Sequence, residues 1–138
     1  MTRWFNIAGP CKDAIHYMLS PTVRLPDLEE LIQQHSYFVL HAPRQTGKTT
    51  AMLALAKQLT DTENYAAVMV SVEVGSAFNH DPNTAELAIL GSWYNTINIR
   101  LHQELQPPIK QWQQEEPGQR IKSFLQSWAT SLNRPLVL

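Results

Sequence analysis

Apolar positions along the chain fall into blocks with two different periods. Tyr37-Phe38-Val39-Leu40 is a compact aromatic and aliphatic run of the length expected of a buried strand, and Ala66 to Val72 is a second run of this kind. Between them Met52, Leu55, Ala56 and Leu59 recur at helical spacing, which predicts a helix from about Lys48 to Thr60. Leu87, Leu90, Tyr94, Ile97, Leu101 and Leu105 recur every three or four positions and predict a long amphipathic helix that ends before Pro107-Pro108. Ile121, Leu125, Trp128 and Leu132 repeat the pattern in a last helix, and Arg134-Pro135-Leu136-Val137-Leu138 begins a third strand. The aromatic residues on these helical faces are read as core. Strands alternating with helices point to an α/β fold with a parallel sheet.

Polar and turn-forming stretches separate these blocks. Pro26 followed by Asp27, Glu29 and Glu30 is a helix start, since proline tolerates the first turn and acids there favour the helix dipole. Leu28, Leu31 and Ile32 give that short helix its apolar side. Gly75 to Asn83 has the composition of a loop, and Gln111 to Pro117 that of a solvated connection. Residues 1–25 contain Gly9-Pro10 and Ser20-Pro21 with little periodicity, so they read as an irregular leading segment with turns near those dipeptides. The expected organisation is one domain over 1–138, with the leading segment 1–25 followed by a core at 26–138.

Composition narrows the functional classes. A chain of 138 residues holds a single core. At 43% hydrophobic and 17% charged residues it is expected to be globular. Eleven Lys plus Arg against 12 Asp plus Glu leave a net charge of -1, so no broad electrostatic attraction draws it to nucleic acid or anionic lipid, and neither is expected as a partner. The single cysteine, Cys11, cannot form an internal disulfide and has no metal-ligand spacing around it, which suits a reducing cytoplasm. Met1-Thr2-Arg3-Trp4-Phe5-Asn6 lacks the apolar core of a secretion signal, and no stretch approaches the roughly 18 apolar residues that span a bilayer. A soluble, cytoplasmic protein is expected.

Between the first strand and the first long helix lies the stretch with chemical content. Ala42-Pro43-Arg44-Gln45-Thr46-Gly47-Lys48-Thr49 has the spacing of a phosphate-binding P-loop, with alanine in place of the first glycine. A triphosphate needs successive backbone N–H groups converging on one concavity, and the helix after the loop adds the positive end of its dipole. Gly47 allows close backbone approach, Lys48 is expected between the β- and γ-phosphates, and Thr49 is expected to offer its hydroxyl to Mg²⁺. Pro43 has no N–H, so the cradle depends on Gln45 to Thr49. Thr50 closes the candidate set and reads as a helix residue rather than a second metal ligand. Arg44 is a candidate for contact with phosphate or a partner subunit, although loop arginines are usually only solvated. Glu73, at the end of the second predicted strand, is a candidate acid. His16, His35, His41, His80 and His102 show no ligand spacing, and His41 beside the loop reads as packed.

Taken with Phe5-Asn6-Ile7-Ala8-Gly9-Pro10 and His16-Tyr17-Met18, this loop makes the chain resemble the AAA-like ATPase domains of bacterial multidomain proteins over essentially its whole length. Tyr37 to Thr50 is the part that resembles them most. The resemblance implies a P-loop NTPase-type three-layer α/β/α fold, ATP on the loop with Mg²⁺, and a leading segment near the adenine. Tyr17 is the residue singled out there, although core packing is the favoured reading of it. Such ATPases have strand order 5-1-4-3-2, so the chain is expected to contain strands one, two and part of three, with strand one lacking both its usual neighbours, four and five. An Asp or Glu normally comes after the third strand, yet the chain stops at Leu136-Val137-Leu138 where it is expected, and the sensor residue, arginine finger and lid are missing as well. The expectation is therefore an incomplete domain, a truncated product or gene fragment. It binds ATP-Mg with weak or absent hydrolysis and needs a protein partner or oligomer for support. Two rivals stand beside this reading: a non-catalytic interaction module that presents the helices between Thr84 and Leu132, and a P-loop kinase for a small molecule that uses Glu73. No base-reading motif decides between ATP and GTP.

Overall fold

In the computed structural model, residues 2–8, 11–12, 14–17, 21–25, 27–108 and 112–138 are described. They divide into two units, residues 1–58 and 59–138. Among the described residues the secondary structure is four α-helices, several short 3₁₀ turns and one two-stranded parallel sheet. The coarse α/β expectation agrees with this arrangement.

The second unit is built on that sheet. β1 (Ala66–Ala67) and β2 (Leu136–Val137) run parallel, with Ala66 opposite Leu136 and Ala67 opposite Val137. The Ala66 N–H donates to Pro135 O at 2.9 Å and the Val68 N–H to Val137 O at 3.1 Å. Ala67 faces the other way, where the Thr60 hydroxyl accepts from its N–H and donates to its carbonyl, both at 3.0 Å. That one side chain takes the place of a neighbouring strand and closes the outer edge of β1. The second and third predicted strands are thus adjacent, but β1 is shorter than the expected span of Ala66 to Val72. Beyond Val68 the chain leaves the ladder for a 3₁₀ turn at Glu73–Phe78.

The helices of this unit begin and end where local chemistry and tertiary contacts agree. α3 (Pro82–Arg100) starts inside the stretch expected to be a loop, because Asp81 caps it and Pro82 occupies the first turn. The Asp81 carboxylate accepts from the Thr84 hydroxyl and, at 3.2 Å, from the Thr84 N–H. The hydroxyl bond first, then the backbone bond, holds this carboxyl below its usual range. At the other end the helix stops at Arg100, short of the expected Leu105, since Leu101 is extended at φ -108° and ψ 145°. The carbonyls beyond that point have other partners. Leu101 O accepts from the Gln106 amide at 2.9 Å, and Leu105 O from the Trp128 indole at 2.8 Å. Leu90, Trp93, Ile97, Leu101 and Leu105 still bury together with Ala66, Val68, Phe124 and Trp128 in one core. The Trp93 indole reaches Ser71 O at 2.8 Å, so both buried tryptophans satisfy their N–H groups.

α4 (Arg120–Ser131) has no side-chain cap of its own. Glu86 of α3 supplies one from a distant part of the sequence, accepting from the Gly118 N–H at 2.8 Å and the Ile121 N–H at 2.9 Å. Arg120 lies 3.8 Å from the same carboxylate and donates to the Asn83 side chain. Glu86 and Arg120 are both buried, so each charge depends on the other and on these hydrogen bonds.

In the first unit, the leading segment is pinned by a bridge between Trp4 and His16. The Trp4 N–H donates to Ile15 O at 3.1 Å and the Tyr17 N–H to Trp4 O at 3.0 Å. The turns expected at Gly9-Pro10 and Ser20-Pro21 and the helix start at Pro26 fall wholly or partly outside the described residues. α1 (Leu28–Gln33) buries Leu28 and Ile32. Its end is closed by the His35 N–H on Ile32 O and the Ser36 N–H on Leu31 O, with His35 left-handed at φ 54°. α2 (Lys48–Asp61) buries Leu55 as expected and Ala51 in addition, leaves the expected Met52 and Ala56 half-buried, and Gln58 donates to Glu29 of α1 at 2.9 Å.

Tyr37 to Leu40 departs from expectation. The segment is extended, but it is not a strand, and Tyr37 and Val39 are 105% and 89% exposed. A strand is defined by its neighbours, and among the described residues none pairs with this one. Its apolar alternation is present without a sheet to bury it.

The helix ends at Glu86 and His35 make two stability predictions. Glu86→Ala strands Arg120 and uncaps α4, lowering the unfolding free energy by about 3 kcal/mol in urea titrations read by tryptophan fluorescence. His35→Gly relieves a left-handed non-glycine residue and raises stability by about 0.5–1 kcal/mol in the same measurement.

Candidate functional site

The loop from Ala42 to Gly47 and the first turn of α2 form the site. Gln45 has φ 60° and Gly47 φ 86°, whereas Arg44, Thr46 and Lys48 are absent from the residues of positive φ. Alternation of hand over consecutive residues turns successive N–H groups toward one side, the geometry of an anion-binding nest. The nest leads directly into α2, whose first intrahelical bond is Ala51 N–H to Gly47 O at 2.9 Å. The amides of Lys48, Thr49 and Thr50 therefore have no acceptor within the helix. No acidic residue stands in that first turn to offset the dipole.

Side chains close the loop on itself. The Lys48 ammonium donates to Ala42 O and to Pro43 O, each at 2.6 Å. The Thr46 hydroxyl donates to Pro43 O at 2.8 Å. Pro43 thus serves through its carbonyl, in keeping with its lack of an N–H. Arg44, Gln45, Thr46, Gly47 and Thr49 are exposed, and Ala42, Lys48 and Thr50 are half-buried. All nine residues from Ala42 to Thr50 fall in one continuous turn and helix start. A Cβ placed on Gly47 meets no other atom of the chain within 4 Å. The chain itself requires glycine there for its backbone conformation, not for space.

Other candidate residues are distributed differently. Tyr17 is 56% exposed and lies against Phe5 with ring centroids 5.2 Å apart, so it is not a core residue. Glu73 opens the 3₁₀ turn as an exposed residue of the second unit rather than ending a strand. His41 is exposed, not packed. His16 is buried, with Nδ1 accepting from the Lys12 N–H at 2.9 Å. Among the described residues, no group of three or more His, Cys, Asp or Glu is placed to hold a metal, and no helix is long and apolar enough to cross a membrane. The bracing hydroxyl of Thr46 was not singled out from sequence. Its only signal there is a hydroxyl residue immediately before Gly47-Lys48.

No family model, curated protein or solved structure matches this chain.

The two left-handed positions make opposite predictions. Gly47→Ala forces a Cβ into a conformation that costs about 1 kcal/mol, and Gln45→Gly removes a strain of similar size. In thermal unfolding without ligand, Gly47→Ala is expected to lower the midpoint and Gln45→Gly to raise it.

Proposed function

We propose that the chain binds a nucleoside triphosphate with Mg²⁺, ATP foremost, through residues 42–50. The observation that carries this reading is the alternation of backbone hand from Gln45 to Lys48 at the head of a helix with no acid in its first turn, within a sequence of P-loop spacing. Backbone amides and the helix dipole attract the phosphates, and Lys48 adds a positive charge held at the mouth of the loop. The residues present fit that ligand: Lys48 exchanges carbonyl contacts for phosphate oxygens, and the exposed hydroxyl of Thr49 is the residue assigned to Mg²⁺. The metal supplies neutralisation of phosphate charge when bound.

The resemblance to AAA-like ATPase domains gives the finer form of the proposal, a P-loop NTPase-type sheet in which β1 and β2 are strands two and three. Their parallel adjacency and the unpaired Tyr37 to Leu40 segment are what that strand order expects, and both support the reading. The exposed Tyr17 and Phe5 rings belong, on the same resemblance, beside the adenine. Nucleotide binding is the property proposed for these residues. A reducing cytoplasm is the proposed setting, on the strength of the single Cys11.

The interaction-module reading has less support, since most of the α3 and α4 face it offers to a partner is buried in the unit's own core. The kinase reading requires Glu73 at a strand end, which is not where Glu73 lies.

Titration of the folded chain with fluorescent ATP in Mg²⁺ is expected to show saturable binding that Lys48→Ala weakens by at least about tenfold, the loss of one charge-assisted contact. Equal affinity of the two proteins, both folded by circular dichroism, removes the site assignment.

A further inference from the structure

We infer that Thr46 is a positioning residue for Lys48, a role that rests on the phosphate-binding reading above. The Pro43 carbonyl accepts from both side chains, from the Thr46 hydroxyl at 2.8 Å and from the Lys48 ammonium at 2.6 Å. The proline ring fixes φ at residue 43 but leaves ψ free, so the direction of that carbonyl depends on what binds it. Thr46 holds it from three residues along the turn. With the carbonyl held, Lys48 has two converging acceptors, Pro43 O and Ala42 O. Without it, one fixed acceptor is left to a four-carbon stem of high rotamer freedom.

The consequence is a lysine placed before its ligand arrives. An ammonium tethered to the loop's first carbonyls, in the same turn as the amides of Gln45 to Lys48, exchanges a carbonyl for a phosphate oxygen with little reordering, which favours binding by preorganisation. Thr46 carries no charge and is exposed, so its hydroxyl serves the lysine's position more than the stability of the unit. Valine has nearly the same shape without the hydroxyl, and serine keeps the hydroxyl without the methyl.

The test has one arm without nucleotide and one with it. In the ligand-free protein, acylation by acetic anhydride is followed residue by residue with mass spectrometry. Thr46→Val is expected to label Lys48 about fivefold faster than wild type, the equivalent of one hydrogen bond, with the exposed Lys122 unchanged and Thr46→Ser like wild type. In ATP-Mg titrations Thr46→Val is expected to bind about fivefold more weakly, and Thr46→Ser to restore affinity. Unchanged Lys48 labelling in Thr46→Val, or equal weakening by valine and serine, overturns the inference. If Lys48→Ala loses binding but Thr46→Val does not, only the role of Thr46 fails. If Lys48→Ala binds as wild type does, the phosphate reading fails with it.

Discussion

Three amides at the head of α2 have no acceptor inside the helix, and the arrangement of the site derives from that deficit. A helix start with no acid in its first turn is a concentration of positive potential. The residues upstream add to it. Alternating backbone hand at Gln45 and Gly47 turns further N–H groups in the same sense, and Lys48 brings a full charge. The loop satisfies the lysine with its own carbonyls at Ala42 and Pro43. The proposed site is thus a balance in which an external polyanion replaces internal acceptors. Such an exchange favours binding because the strain and the charge are already in place.

The second unit solves the same kind of problem with partners from other elements of its own chain segment. The start of α4 is capped by Glu86, more than thirty positions earlier, and the free edge of β1 is closed by the Thr60 hydroxyl. Buried indole N–H groups of Trp93 and Trp128 reach backbone carbonyls at Ser71 and Leu105. Buried polar groups are costly when unpaired, so each of these contacts fixes where an element starts or stops as much as it stabilises it. The early end of α3 is an example, for a helix continued through Leu105 would draw that carbonyl away from Trp128.

The contrast between the two helix starts explains why one is a candidate site and the other is not. Both present unpaired amides. At α4 a buried carboxylate from the same unit already occupies them, and an arginine and an asparagine complete the set. At α2 the residues Arg44 to Gly47 are exposed and contribute no acid. One start is filled by structure, and the other is open to a ligand from solution.

Local pattern located α2, α4 and the greater part of α3, because their apolar residues repeat at the helical period, but packing turned the buried face toward Trp93 in α3 and Phe124 in α4 and left Leu87 exposed. It also located the candidate loop, whose glycine, lysine and threonine fall within eight consecutive positions. Only the tertiary structure decided the rest. Whether Tyr37 to Leu40 is a strand depends on a neighbour that alternation cannot supply, and where α3 ends depends on the distant partner that the Leu105 carbonyl finds in Trp128. Tyr17 could not be assigned to core or surface from its identity, since a tyrosine suits either. The roles of Thr46, Thr60 and Glu86 were equally hidden, for a hydrogen bond is set by where its partner lies in space, and that is fixed only when the chain has folded.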